Sequence, residues 1–298
     1  VKQFRAWLWD AGVAWYKDNA MRMSSSLAYY ALLSLAPILL LMVSIAGLFL
    51  GGAAARTHFA SLASQRFGDE AGAIIEAIVL STGDKEENLL GTQAGLVMIV
   101  IGASGMFSEL QSAMNTIWEV APRRGRGFKG LMRDRFVCFA MVGSVAVLLV
   151  ILIAVGALLA LLGSRVGTLP GGLVLWQVVD FALSVVAVTV LFALSYKAVP
   201  DVIIPLSEVW PGAVLTAILF VLSELAFAAY LQYSMVPKPQ GVAGSVVVLV
   251  TWVYYTGQIF FYGAEFTKVR AAARGVPIIA RRHAVRVPAP PPPALEQS

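Results

Sequence analysis

Ionisable side chains set inside or at the ends of long apolar stretches are the residues of this chain with the most chemistry to offer. Glu109, Asp180, Glu224 and Glu265 interrupt or close such stretches, and Lys197 and Asp201 stand at the end of another. A charge held in hydrocarbon is costly, so it faces a partner, a wet cavity or a substrate path. For Glu265, pairing with Lys268 or Arg270 about one helical turn on is the plain reading. Asp180 fits a place near the outer surface. Glu109 and Glu224 lie deeper, where a substrate or proton role and a buried structural pair are equally open. Hydroxyls add to this set. Ser24, Ser25, Ser26, Tyr29, Tyr30 and Ser34 cover most faces of one helix, so some of them face protein or water. They either hydrogen-bond to neighbouring helices or wall a polar cavity. The candidate cavity comprises Ser25, Tyr29, Tyr30, Glu109, Asn115, Lys197, Asp201, Glu224 and Glu265.

Other chemistries find little support. No Gly-x-x-x-x-Gly-Lys-Ser/Thr loop occurs, so a P-loop ATPase is excluded. His58 and His283, the two histidines, are expected on opposite sides of a membrane, and Cys138 is the single cysteine. Neither a His-Glu-x-x-His metal site nor a cysteine-based one can be built. The acidic cluster at Asp69, Glu70, Glu76, Asp84, Glu86 and Glu87 lies on the outer side, away from any nucleic acid. The expectation is a non-enzyme with no catalytic residues, no metal, no cofactor and no nucleic-acid partner.

The elements that must position these groups are transmembrane helices. Of 298 residues, 59% are hydrophobic and 13% charged, and the mean hydropathy is +0.79. Soluble domains are about 45–50% apolar and about 25% charged. Six apolar runs predict spans at about 24–50, 90–118, 136–162, 173–196, 208–232 and 242–267. Each is long enough for a hydrocarbon core of about 30 Å. With six spans, 17 of the 22 lysines and arginines fall on one side and 5 on the other. Basic loops stay inside, which places both termini in the cytoplasm of a multi-pass protein. The first run is too long for a signal-peptide core of about 7–15 residues and reads as an uncleaved first span.

The fold class expected is therefore an all-α, six-transmembrane-helix bundle. Residues 1–23 read as an N-terminal amphipathic interfacial helix, with Phe4, Trp7, Leu8, Ala11 and Trp15 on one face. Residues 24–267 form the membrane domain, and Pro37 within the first span predicts a kink. Residues 52–88 read as an extracytoplasmic helical loop between spans one and two. Pro200 and Pro205 predict irregular backbone between them. Residues 268–298 read as a basic, proline-rich, disordered cytoplasmic tail. Arg123, Arg124, Arg126 and Lys129 form a basic loop with two glycines, explained by topology alone or by contact with anionic lipid headgroups. The partners expected are membrane lipids and an unidentified transported substrate, with a homo-oligomer left open.

Several segments resemble one family when taken in order. They are Ser25-Ser26-Leu27-Ala28-Tyr29-Tyr30-Ala31-Leu32-Leu33-Ser34-Leu35-Ala36-Pro37, Asn115-Thr116-Ile117-Trp118, Tyr196-Lys197-Ala198-Val199-Pro200, Trp210-Pro211-Gly212-Ala213 and Phe227-Ala228-Ala229-Tyr230, then Gly244-Ser245, Trp252-Val253-Tyr254-Tyr255 and Gly263-Ala264-Glu265-Phe266. Their order and spacing over residues 5–272 resemble the YihY/BrkB family of bacterial inner-membrane proteins, formerly mislabelled as ribonuclease BN. The resemblance implies six membrane helices with both ends inside and a bacterial inner-membrane location. It also implies a role in moving substrates or lipids across the envelope, with no catalytic set to transfer. A non-ATPase transporter or lipid-handling protein is the leading expectation. A structural component of an envelope complex without transport activity is the second, and an intramembrane enzyme acting on lipids the third.

Overall fold

The computed structural model describes residues 2–67, 72–73, 76, 105–122, 136, 147, 172–233, 241–282 and 284–287. Helix α1 (Lys2–Lys17) forms where Phe4, Trp7, Leu8, Ala11 and Trp15 recur at helical spacing. Asn19 stops it by adopting a left-handed backbone, φ 54°, a conformation that asparagine tolerates better than most residues. Asn19 then caps α2 (Ala20–Leu50), its carbonyl accepting from the N–H groups of Arg22 and Met23 at 2.9 and 3.2 Å.

Helix α2 has 31 residues, about 46 Å at 1.5 Å per residue. It is helical through Pro37 and starts four residues before the predicted span. It ends at Gly51, where φ is +85° and the N–H bonds to Gly47 O at 3.0 Å. Helix α3 (Gly52–Phe67) follows, so the segment expected to be a helical loop does begin as helix. Most of its remainder, the second span before residue 105 and nearly all of the third span lie outside the described residues.

Helix α4 (105–117) leads through Glu119, also left-handed at φ 54°, into strand β1 (Val120–Pro122). The chain continues as α5 (Gly172–Ala198), β2 (Val202–Ile203), α6 (Leu206–Tyr233), α7 (Gly241–Ala273), β3 (Ile279–Ala280) and β4 (Ala284–Arg286). The fold is mostly helical. Among the described residues, Leu206–Phe227 and Val246–Ala273 are long and apolar enough to cross a membrane. In each, 28% of the most apolar window is buried, and Trp210, Val214, Ile218, Leu222 and Leu225 form an exposed apolar stripe along α6, as lipid contact requires.

Helix α7 is the central post. Helices α1, α2 and α6 pack on it, and α5 packs on α6. The core gathers at one end of this arrangement. Met114, Ile117 and Trp118 meet Phe192, Tyr196, Val209, Ala213, Phe260 and Phe261 there.

The predicted boundary between membrane domain and disordered tail needs correction. Helix α7 runs beyond residue 267 to Ala273, and the chain after it folds back in two antiparallel ladders. Val202 and Ile203 pair with Ala280 and Ile279, while Val120, Ala121 and Pro122 pair with Arg286, Val285 and Ala284. Composition did not foretell this because these strands are two or three residues long and draw their partners from distant links between helices. The apolar face of the N-terminal helix meets α7: Trp15 donates its indole N–H to Gln258 O at 3.2 Å, and Tyr262 Oη donates to Leu8 O at 3.1 Å. Trp9 and Tyr16 remain exposed on its other side.

Candidate functional site

Where α4, α5 and α1 end and α6 begins, four polar clusters form a collar around α7. The first joins α4 to the link after α5. Gln111 and Asn115, one turn apart, project from one face of α4. Asn115 Nδ2 donates to Asp201 Oδ2 at 3.1 Å, and Asp201 N donates to Asn115 Oδ1 at 2.8 Å. Gln111 Nε2 reaches Asp201 Oδ1 at 3.5 Å. Asp201 O accepts from Arg281 N at 2.8 Å, and the Arg281 guanidinium donates to Lys197 O at 2.9 Å and Val202 O at 3.3 Å. Arg281 thus satisfies a carbonyl that the end of α5 leaves without an intrahelical donor.

The second cluster ties α6 to α7. Glu208 lies in the first turn of α6 with its side chain 4% exposed. Arg270 Nη1 donates to its Oε2, and Arg274 Nη1 lies 3.0 Å from its Oε1. The acid sits at a helix start and the two bases near a helix end, so each also complements the backbone dipole beside it. The Arg270 guanidinium stacks 5.9 Å from the centre of the Trp7 ring on α1.

The third cluster is a reciprocal interlock of the same two helices. Gly212 and Thr216 stand one turn apart on α6, as do Gly263 and Thr267 on α7. A Cβ at Gly212 would collide with Thr267 Oγ1, and a Cβ at Gly263 would collide with Thr216 Oγ1 and Tyr196 Oη. Each threonine donates to the carbonyl of its own helix's glycine, at 2.7 Å for Thr216 and 2.8 Å for Thr267. Tyr196 of α5 closes the set, with its hydroxyl 2.7 Å from both Thr216 Oγ1 and Phe260 O. Small residues let backbones approach, which is how membrane helices associate without a hydrophobic force between them. A similar close approach brings α2 to α7, where a Cβ at Gly257 would lie 3.3 Å from the Ser24 side chain.

The fourth cluster surrounds Glu265 on α7. This residue is fully buried, and neither carboxylate oxygen has a hydrogen-bond partner. Asp18, Glu119 and Lys268 are the ionisable groups around it. Lys268 Nζ is 3.0 Å from Glu119 Oε1 and 3.9 Å from Asp18 Oδ2. Among the described residues, the two non-glycine positions with left-handed backbone, Asn19 and Glu119, therefore bring Asp18 and Glu119 to this point.

The structure divides the residues expected to share one cavity. Asn115 and Asp201 meet directly, and Glu265 lies in the same collar. Ser25 is exposed and bonds back to Met21 O at 2.9 Å. Tyr29 and Tyr30 stack edge-on at 5.6 Å, and Tyr30 covers Gly105 at the start of α4. Glu109 is half-buried, six residues before Asn115 and so on a different face of α4. The Lys197 side chain is exposed, and only its carbonyl joins the collar. Glu224 stands 16 residues beyond Glu208 on α6, about 24 Å along the helix, so it belongs to the other end. Arg123, Arg124, Arg126 and Lys129 lie outside the described residues, as does the side chain of Asp180. The expected pairing of Glu265 with Arg270 is not formed, because Glu208 takes that arginine.

Sequence reasoning passed over Gln111, Glu208 and the Tyr196–Thr216 pair. The repeated Gly-x-x-x-Thr spacing at 212–216 and 263–267 was the available sign.

Comparison with known proteins accords with this architecture. Residues 13–286 match the model of the family described as Virulence factor BrkB. The chain belongs to that family. Its ordered motifs had pointed there, and every collar residue from Asp18 to Arg286 falls within the match. Among its relatives, a protein named UPF0761 membrane protein from Pseudomonas aeruginosa is 28% identical, over 83% of this chain and 58% of its own length. One of the same name from Alkalilimnicola ehrlichii is 26% identical, over 86% of this chain and 56% of its own. A third, from Vibrio vulnificus, is 27% identical, over 87% of this chain and 82% of its own. The BrkB-family chain thus spans little more than half the length of the first two. No solved structure matches it. Family membership and the two long apolar helices together make it a membrane protein.

Proposed function

We propose that this BrkB-family protein is a six-span protein of the bacterial inner membrane, with both termini cytoplasmic, that moves a substrate or lipid without hydrolysing ATP. The observation that carries the reading is Glu265, a carboxylate with no hydrogen-bond partner, buried inside an apolar helix at the convergence of α1, α4 and α7. A group so costly to keep in a span is characteristic of pathways and relays rather than of lipid-facing structure. The basic run of Arg123, Arg124, Arg126 and Lys129, which follows β1 in sequence, would then contact anionic headgroups. No catalytic step is assigned to any residue.

A scaffold without transport activity is the second reading. It is favoured by Asn115–Asp201 and by Glu208 with its two arginines, which satisfy one another locally. Purified protein in lipid vesicles separates the two. Scrambling of labelled lipid or flux of a charged solute above that of empty vesicles, reduced in Glu265→Gln, supports transport. Rates equal to those of empty vesicles across lipid compositions support the scaffold.

A further inference from the structure

Glu265 poses a problem that its surroundings solve in one way. Its two oxygens are buried with no donor, and the carboxyl of Asp18, an acceptor like them when ionised, is among the groups around them. Two ionised carboxylates are acceptors only, so they repel unless a proton or another cation lies between them. Lys268 supplies that charge only in part, since its ammonium is shared between Glu119 at 3.0 Å and Asp18 at 3.9 Å and gives Glu265 no hydrogen bond. Arg286, 4.0 Å from Glu119, is on the outer side with its side chain 60% exposed. Asp18, Glu119 and Glu265 thus face one close ammonium. Among the described residues, no three such side chains are grouped to hold a metal ion.

We propose that Glu265 and Asp18 form a carboxyl pair that binds one exchangeable proton, with Asp18 as its route to water. The proton sits on a Glu265 oxygen and is donated to Asp18. The Asp18 side chain is 29% exposed at the α1–α2 corner, so release runs from Glu265 to Asp18 and then out. Release leaves two anions in contact, and Lys268, three residues on along α7, is the cation nearest to answer them. Drawing Lys268 inward takes it from Glu119 and loosens the corner that carries β1. The site is the one on which the transport reading rests, but proton binding needs no transported substrate.

Infrared difference spectroscopy of the full chain in vesicles, stepped in pH, tests the proposal. The expected result is a protonated-carboxyl stretching band that titrates and shifts in heavy water. It should vanish in Glu265→Gln, move in frequency and midpoint in Asp18→Asn, and persist in Glu224→Gln. Absence of the band from the unaltered protein, or its survival in Glu265→Gln, overturns the proposal. A band that titrates with sodium concentration at fixed pH but not with pH overturns it in favour of a sodium site. If Glu265→Gln does not fold, Asp18→Asn decides, since its change lies at a partly exposed position. A folded Asp18→Asn protein with an unmoved band is fatal. A titrating band without flux sinks transport and leaves the proton site standing.

Discussion

The two ends of the α6–α7 pair are built on different principles. At the collar end, glycines and threonines interlock, a tyrosine from α5 is fastened to both helices, and Glu208 is gripped by two arginines. At the other end the helices meet through aromatic rings, with Trp252 5.6 Å from Phe220 and 5.2 Å from Phe227. Leu222, Leu225 and Val247 are exposed around them. Directional bonds and close backbones admit one geometry, whereas ring contacts of this kind are weak in angle and tolerate sliding. The pair is therefore fixed more closely in angle at the collar than at the other end, where residues 234–240 join the two helices in sequence. Any rearrangement around a polar site would pivot at the collar.

That contrast fixes the order of mutational effects. The largest is expected for Gly263→Ala, whose new methyl collides with Thr216 and Tyr196. It should cost about 3 kcal/mol, measured by denaturant unfolding in detergent, and Gly263→Ala with Thr216→Ala should recover part of the loss. Ala226→Leu, an enlargement at an exposed position toward the other end, should stay within about 0.5 kcal/mol. Equal costs at both positions would refute the division.

Glu208→Ala comes next, at about 2 kcal/mol, because it leaves Arg270 and Arg274 without their acid. Part of its effect should be screened by salt, Arg274 being half exposed. Asn115→Ala should cost about 1 kcal/mol and raise hydrogen exchange at the Asp201 and Arg281 amides, which sit on either side of the broken link. The smallest effect on stability is expected for Glu224→Gln, under about 0.5 kcal/mol. If Glu224 lines a wet pathway, the same variant changes flux or its pH dependence in vesicles. An unaltered rate removes it from the mechanism.

Much of the fold was legible because apolar length is a one-dimensional property. The helices expected at 173–196, 208–232 and 242–267 lie within α5, α6 and α7. The apolar face of α1 from Phe4 to Trp15 was legible, but not that α7 would touch it. Periodicity reports that a face is apolar and not whether lipid or α7 will meet it. The collar was half legible. Asn115, Asp201 and Glu265 stood out as polar groups near apolar runs. Glu208 did not, because it begins a helix where acids are ordinary. Nor could spacing along α7 show that Arg270 would turn to Glu208 instead of Glu265, since that choice depends on α6. Glu224 was grouped with the others by residue type, and only the length of α6 separates them.

The two small ladders have a consequence for the order in which the protein is made. Strand β3 pairs with β2 and β4 with β1, so the later pairing encloses the earlier one like nested parentheses. Both closing strands leave the ribosome after α7. Helices α5, α6 and α7 must already have been made before either clasp can engage. The entropy of closing so long a loop grows only slowly with its length, so the delay costs little. The final fastening of the collar therefore waits on the last helix of the chain.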